Sequence, residues 1–312
     1  MIYFNKNISF EKVLYEWLNT KTNIKKSSYY KYLFYIDTYL IPYFKTIKFK
    51  NITNNDILSF FYSISISKLS NSTKNIILII IKSSINYGIK KKYRKNNINI
   101  DVHFKKNNNI SYLTINEQNI LENYIRNNMN LRNLCILTAL YTGIRIGELC
   151  ALKYSDIDVI NNTISINKSV QRIKDINSNG NKTKLVIDKP KTNSSIRVIP
   201  IPKFIVNLLM NDITNINNFI FTNSNKPKDP RSVEKYFSNL LDKLNIKHLK
   251  FHSLRHTFAT RLREKKVDIK VISELLGHSD WKLTQDIYIH ASFEYKKESI
   301  KELANIWTQN CS

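Results

Sequence analysis

Along the first ninety residues the hydrophobic positions recur at spacings of three and four, the signature of one helical face. In "FEKVLYEWL" (10–18) Val13, Leu14 and Trp17 lie on such a stripe, and Ser9 stands where an N-cap belongs. "SSYYKYLFYIDTYLI" (27–41) continues the pattern up to Pro42, whose missing N–H predicts the end of that helix. "TNNDILSFFYSIS" (53–65) opens on Thr53 with Asp56 three residues on, an arrangement like a capping box. "NSTKNIILIIIKSSINYG" (71–88) holds a β-branched run, but its length and start favour a buried helix closing at Gly88. The pattern therefore predicts four helices over residues 1–89.

The period then disappears. "KKKYRKNNINIDVHFKKNNN" (90–109) is polar and basic and reads as a linker, over 90–110. Helical spacing resumes at Thr114, which forms a capping box with Glu117, and holds to about residue 151. Alternation with a period of two follows in "TISINKSV" (163–170), "TKLVID" (183–188) and "SIRVIPI" (195–201), three expected strands of a small sheet. Beyond Pro202 the signal is again helical, and Asp229-Pro230 makes a cap and first turn for a helix over 230–244. The predicted fold class is mainly α with a small β-sheet (α+β). An all-helical domain (1–89) precedes a mixed α/β domain (111–312), which ends in an amphipathic helix over 292–309. Ile300, Leu303 and Trp307 form the apolar stripe of that last helix.

Charge adds a partner to this picture. The 312 residues carry 49 Lys and Arg against 24 Asp and Glu, a net of +25. A codon bias toward Lys would raise Asp and Glu as well, so the imbalance itself points to a polyanion held through phosphate contacts. Residues 1–108 hold 19 basic and 5 acidic side chains, a net of +14, which makes the front third the more DNA-like surface. Lys90, Lys91, Lys92, Arg94 and Lys95, at the junction of two basic domains, are candidates for lying against phosphates.

Other classes recede. The longest apolar run, Ile76 to Ile81, is far short of the roughly 20 residues that span a bilayer. The N-terminal "MIYFNKNISFEK" has no signal-peptide pattern, so a cytoplasmic protein without membrane association is expected. Cys135, Cys150 and Cys311 show no paired spacing, which argues against a disulfide or a zinc site, and no metal is expected.

Chemistry concentrates in the second domain. In "TGIRIGELCAL" (142–152) Arg145 falls at a helix start, where the dipole prefers an anion. A bound phosphate would resolve that conflict, with Glu148 on the same face to hold the guanidinium. In "HSLRHTFAT" (252–260) His252 and Arg255 are spaced to share one helix face, with His256 off it. "ELLGHSD" (274–280) ends a helix at Gly277 and exposes His278. Tyr288 follows in "DIYIH". Each has an ordinary reading when taken singly: a surface ion pair, a histidine capping its own helix, a cation at a helix end, a core tyrosine. Together, two arginines, two histidines and a tyrosine are the set that phosphoryl transfer uses when no metal takes part. Positioned cations stabilise the charge that builds on non-bridging oxygens, and they let a hydroxyl of pKa near 10 attack at neutral pH.

The stretches "TGIRIGELCALKYSDID", "HSLRHTFATRL" and "LLGHSDWKLTQDIYIH" resemble the tyrosine recombinases, or phage-type integrases, in order and spacing, including the ten residues from His278 to Tyr288. The resemblance covers residues 114–312, and the basic helical front is similar to the family's core-binding domain. It implies that Tyr288 is the nucleophile that forms a 3′-phosphotyrosyl link. It further implies that Arg145 and Arg255 clamp the non-bridging oxygens, that His252 accepts a proton or donates a hydrogen bond, that His278 donates, and that Glu148 supports Arg145. A hairpin lysine, Lys191 or its alternative Lys189 in "DKPKTNSSIRVIPI", would protonate the leaving 5′-oxygen. No cofactor or ATP is implied, because covalent transfer conserves the phosphodiester energy. The implied partner is double-stranded DNA with paired recognition sites, gripped in a clamp and exchanged within a homo-tetramer joined through the C-terminal helix. A partner recombinase or directionality factor is open. The chain begins almost at the core-binding helices, so an extra arm-site domain is not expected. Trp281 departs from the family pattern, where a smaller apolar residue is usual.

Overall fold

The computed structural model describes residues 7–66, 69–105, 111–174, 183–188 and 196–278. Lys189, Lys191, Trp281, Tyr288, Cys311 and the helix expected over 292–309 lie outside the described residues. The chain divides into two compact units, Met1–Asn109 with Ile173–Lys182, and Ile110–Arg172 with Thr183–Ser312.

The first unit is helical: α1 (Phe10–Asn19), α2 (Lys26–Tyr35), α3 (Ile41–Phe44), α4 (Asn54–Ile66) and α5 (Asn71–Lys90). Ser9 caps α1 by accepting the Lys12 N–H, and Thr53 and Asp56 exchange side-chain-to-backbone bonds at the start of α4. Pro42 does not end a helix as expected. A π turn over Ile36–Leu40 leads into α3, with the Ile41 N–H donating to Ile36 O, and Pro42 falls in the first turn of α3, where its missing N–H costs little. Gly88 is not a terminus either. The helix runs on to Lys90, and a Cβ at Gly88 would stand 2.5 Å from the Phe49 ring, so the residue is small because α5 passes so close. Phe10, Phe44, Phe49 and Phe60 are fully buried at the centre of this unit, with Phe10 and Phe44 edge to face at 5.4 Å.

The segment read as a basic linker is seated on this core up to residue 105. Ile98, Ile100 and Val102 are buried at alternate positions, and Asn75 and Asn71 of α5 donate to Phe104 O and Lys105 O. Composition concealed this, because polar residues separate the three apolar ones. Arg94 is drawn inward and donates to Phe49 O and Ile52 O, whereas Lys90, Lys91, Lys92 and Lys95 remain exposed.

The second unit opens with α6 (Ile115–Asn127), begun by the Thr114–Glu117 capping box, and α7 (Leu131–Thr142), which is buried over almost its whole length. After the short α8 (Ile146–Leu149) come β1 (Ile157–Asp158), β2 (Thr163–Ile166), β3 (Ser169–Lys174), β4 (Thr183–Asp188) and β5 (Arg197–Pro200). These strands form two sheets where one was expected: an antiparallel β1-β2-β5, with Ile164 opposite Ile199, and a separate β3-β4 pair. The predicted strand 163–170 breaks near Lys168, whose ammonium binds both oxygens of Asp156 at 2.6 Å. α9 (Lys203–Met210), α10 (Pro230–Lys243), α11 (Ser253–Glu264) and α12 (Ile269–Leu276) complete the described unit. α11 packs on α7 and also fixes the chain ahead of α6. The Thr257 hydroxyl accepts the Leu113 N–H at 3.0 Å, and Arg261 donates to Leu113 O at 2.8 Å. Cys135 and Cys150 are buried free thiols. No helix among the described residues is long and apolar enough to cross a membrane.

Candidate active site

Two left-handed glycines set the geometry. Gly143 ends α7 with φ of 61°, and a Cβ there would lie 2.5 Å from the Phe258 ring and 2.9 Å from Leu276. This tight turn aims Gly143 O at Arg255, which donates to it at 2.8 Å. Gly277 ends α12 with φ of 65°.

Arg145 occupies the N-cap of α8, as the sequence suggests, and the conflict with the helix dipole is met from within. The Glu148 carboxylate accepts the Arg145 backbone N–H at 3.2 Å and its guanidinium at 2.9 Å. Glu148 is only 3% exposed and also accepts from Arg197 of β5 at 3.1 Å. Burial alone would raise its pKa, but Arg197 and then Arg145 outweigh burial and hold the carboxyl below the ordinary range.

The last carbonyls of α12 gather the cations. Leu275 O accepts from Arg197 at 2.8 Å, Leu276 O from Arg255 at 2.7 Å, and Gly277 O from Arg145 at 3.0 Å. A helix C-terminus leaves such carbonyls without intrahelical partners and carries partial negative charge, so it suits guanidinium groups. Arg255 is buried, while Arg145 keeps about a third of its side chain open, at 34%. His278 directly follows this end.

Three histidines border the cations. His252, His256 and His278 are each pushed down to about 4, first by desolvation and then by positive neighbours. Arg255 acts on all three, and Arg145 acts on His252 and His278. His252 remains exposed to solvent, so its shift is the most open to screening. All three are neutral at pH 7, and an arriving anion would oppose the cations that depress them. His256 is not off the face shared by His252 and Arg255: its ring meets His252 edge on at 4.8 Å. The structure thus brings Arg145, Glu148, His252, Arg255 and His278 together and adds His256 and Arg197. Arg197 escaped the sequence reading, although a charged residue in the strand pattern "SIRVIPI" on the same side as the buried Ile199 is a detectable signal.

A model of the phage integrase family matches residues 111–295, and a model of the phage integrase N-terminal SAM-like domain matches residues 9–64. The chain belongs to the phage integrase family. Among curated members, the tyrosine recombinase XerC-like protein of Caldanaerobacter subterraneus subsp. tengcongensis is 31% identical over 191 residues, 55% of this chain and 48% of that protein. A tyrosine recombinase of Agathobacter rectalis is 38% identical over 180 residues, 56% of this chain and 53% of that protein. The chain spans about half the length of these relatives. Tyrosine recombinase XerD of Rickettsia bellii is 29% identical over 263 residues, 80% of this chain and 83% of that one. In fold, the Tn1549 transposon integrase, solved with a circular intermediate DNA, superposes with a TM-score of 0.79 at 20% identity, over 95% of this chain and 99% of that one. Lambda integrase, solved as a tetramer bound to a Holliday junction, superposes with a TM-score of 0.69 at 18% identity, over 91% of this chain and 78% of that one. The mainly helical two-part fold is the fold of these integrases.

Proposed function

We propose that this protein is a site-specific DNA recombinase that breaks and rejoins strands through a 3′-phosphotyrosyl intermediate. The observation that carries the reading is the gathering of Arg145 and Arg255 on the last carbonyls of α12, with His252 and His278 close to them and His278 ten residues ahead of Tyr288 in the chain. Arg145 and Arg255 are held side by side by the adjacent carbonyls of Gly277 and Leu276, and on this reading they meet the non-bridging oxygens of a scissile phosphate. The Tyr288 hydroxyl attacks the phosphorus and its proton passes to His252, which is neutral at pH 7 and therefore able to accept it. The bond from phosphorus to the 5′-oxygen breaks, and that oxygen takes a proton from Lys191, with Lys189 as the alternative. His278 donates to the phosphate. The reverse attack by a 5′-hydroxyl restores the phosphodiester and frees Tyr288, so the bond energy is conserved without ATP.

The substrate is double-stranded DNA bearing paired recognition sites, and the basic first unit is its main electrostatic hold, with Lys90, Lys91, Lys92 and Lys95 among the contacts. Arg94 serves the fold of that unit instead. Strand exchange takes place in a homo-tetramer joined through residues 292–309. The catalytic part corresponds to residues 111–312.

The test is a covalent trap. Wild type and Tyr288→Phe are incubated with genomic DNA of the source organism without metal or ATP, then denatured, and the attached ends are sequenced. Adducts with wild type alone, mapping to a short inverted repeat, are the expected outcome. Adducts with Tyr288→Phe would overturn the nucleophile. Adducts scattered over all sequences would replace recombination by relaxation of supercoils.

A further inference from the structure

We propose that Arg197 is a positioning residue: it braces Glu148 against the end of α12 and so fixes Arg145 where that arginine meets phosphate. The proposal rests on the recombinase reading of the site and deepens it. Arg197 sits on β5 with its side chain 8% exposed, and its two ends face in different directions. Nε donates to Leu275 O at 2.8 Å and Nη2 donates to Glu148 Oε2 at 3.1 Å. That same Oε2 accepts the Arg145 backbone N–H, and Oε1 accepts the Arg145 guanidinium. Arg145 then reaches Gly277 O, two residues beyond the carbonyl that Arg197 holds.

The result is a closed circuit of hydrogen bonds running Leu275, Arg197, Glu148, Arg145, Gly277. The joint between Glu148 and Arg145 has two hydrogen bonds and the others one each, and the guanidinium fork of Arg197 suits two partners at a fixed angle in a way that a lysine ammonium does not. Without Arg197, Glu148 would be a buried carboxylate with a single cation that is itself partly exposed. Glu148 would then gain affinity for a proton and lose its hold on Arg145. Arg197 has no part in the chemistry itself. Its side chain is nearly closed to solvent and binds Glu148 and Leu275 O, so its action on the phosphate passes through Glu148 and Arg145.

The circuit predicts a pattern that a general loss of stability does not produce. Full-length wild type, Arg197→Met, Arg197→Lys and Arg145→Ala are compared on an oligonucleotide carrying the site recovered by the covalent trap. The scissile phosphate is either natural or replaced by a methylphosphonate, which lacks the negative charge that Arg145 neutralises. On the natural phosphate Arg197→Met is expected to slow covalent capture by about 10²-fold, the scale of a misplaced catalytic group, and Arg197→Lys by less. On the methylphosphonate both Arg197 variants and Arg145→Ala are expected to come within a few-fold of wild type. An equal loss on both substrates would overturn the proposal and leave Arg197 a residue of the general fold. Absence of capture by wild type on the natural site would instead overturn the recombinase reading.

A second measurement needs no DNA. In the free protein, ¹³C-detected titration of the Glu148 carboxyl is expected to show its pKa rising in Arg197→Met relative to wild type. An unchanged titration would sink the circuit whatever the enzyme does.

Discussion

Gly143 carries two requirements at once, a left-handed backbone and room for Phe258 and Leu276. Gly143→Ala therefore places a methyl group both in an unfavoured conformation and inside a packed contact, with an expected cost of about 2–4 kcal/mol. Chemical denaturation with urea measures it, and a loss below 1 kcal/mol on the same scale would show that α11 and α12 yield to the methyl. The histidines give a pH dependence at the same scale. Their folded pKa of about 4 lies below the ordinary 6.5, so between these values the unfolded chain binds more protons. The histidine contribution to stability is therefore fully present above pH 6.5, falls as the pH drops toward 4, and levels off below it. Thermal melts across that range are expected to show the fall, reduced in His256→Gln. Polyphosphate should reduce it as well, because an anion offsets the cations beside the rings. His252, the most open of the three, is expected to contribute least.

Elements repeat this lesson in their caps. Asp229 caps α10 through the Arg231 N–H and also pairs with Arg172 beside β4, where Arg172 further donates to the Thr183 hydroxyl at 2.8 Å. Asp229→Ala loses the cap and the ion pair, whereas Asp229→Asn keeps the cap. Alanine is expected to lower stability by about 1–2 kcal/mol and asparagine by clearly less, measured by denaturant titration. Equal effects would mean that the Arg172 pair carries the contribution. Caps of this kind were legible in the sequence, since Ser9, Thr53, Thr114 and Asp229 all begin helices where their spacing says they should. Breaks were less legible. Pro42 and Gly88 are ordinary stop signals, and each was overruled by packing or register that no local pattern records. The 163–170 run kept its alternation across Lys168, so the change of sheet there depended on a distant Asp156. At the candidate site, Arg145, Glu148, His252, Arg255 and His278 were legible because their helix breaks sit in the local sequence. Arg197 shows in the sequence only as a charge on the inward side of a strand, and its role does not, because the Leu275 carbonyl that it binds is 78 residues away.

Across the whole molecule the net charge of +25 is the property that acts at longest range. Its concentration in the first 108 residues predicts that DNA binding weakens linearly in log affinity with log salt. Some 6–10 phosphate contacts would cost about 10³–10⁵ in affinity between 50 and 200 mM salt. Filter binding or fluorescence anisotropy reads this slope, and a near-zero slope would remove the first unit from the DNA interface. The gathering of guanidinium groups on the end of α12 has a consequence for the entropy of that encounter. A free arginine side chain loses roughly 1.5–2 kcal/mol of rotamer freedom when it is fixed. Arg145 and Arg255 have already lost it in folding, to carbonyls that hold them in place before any DNA is present. An incoming phosphate therefore meets donors that need no further ordering. The affinity they contribute should show up in a slow off-rate and a favourable enthalpy, while the on-rate stays with the long-range charge of the first unit.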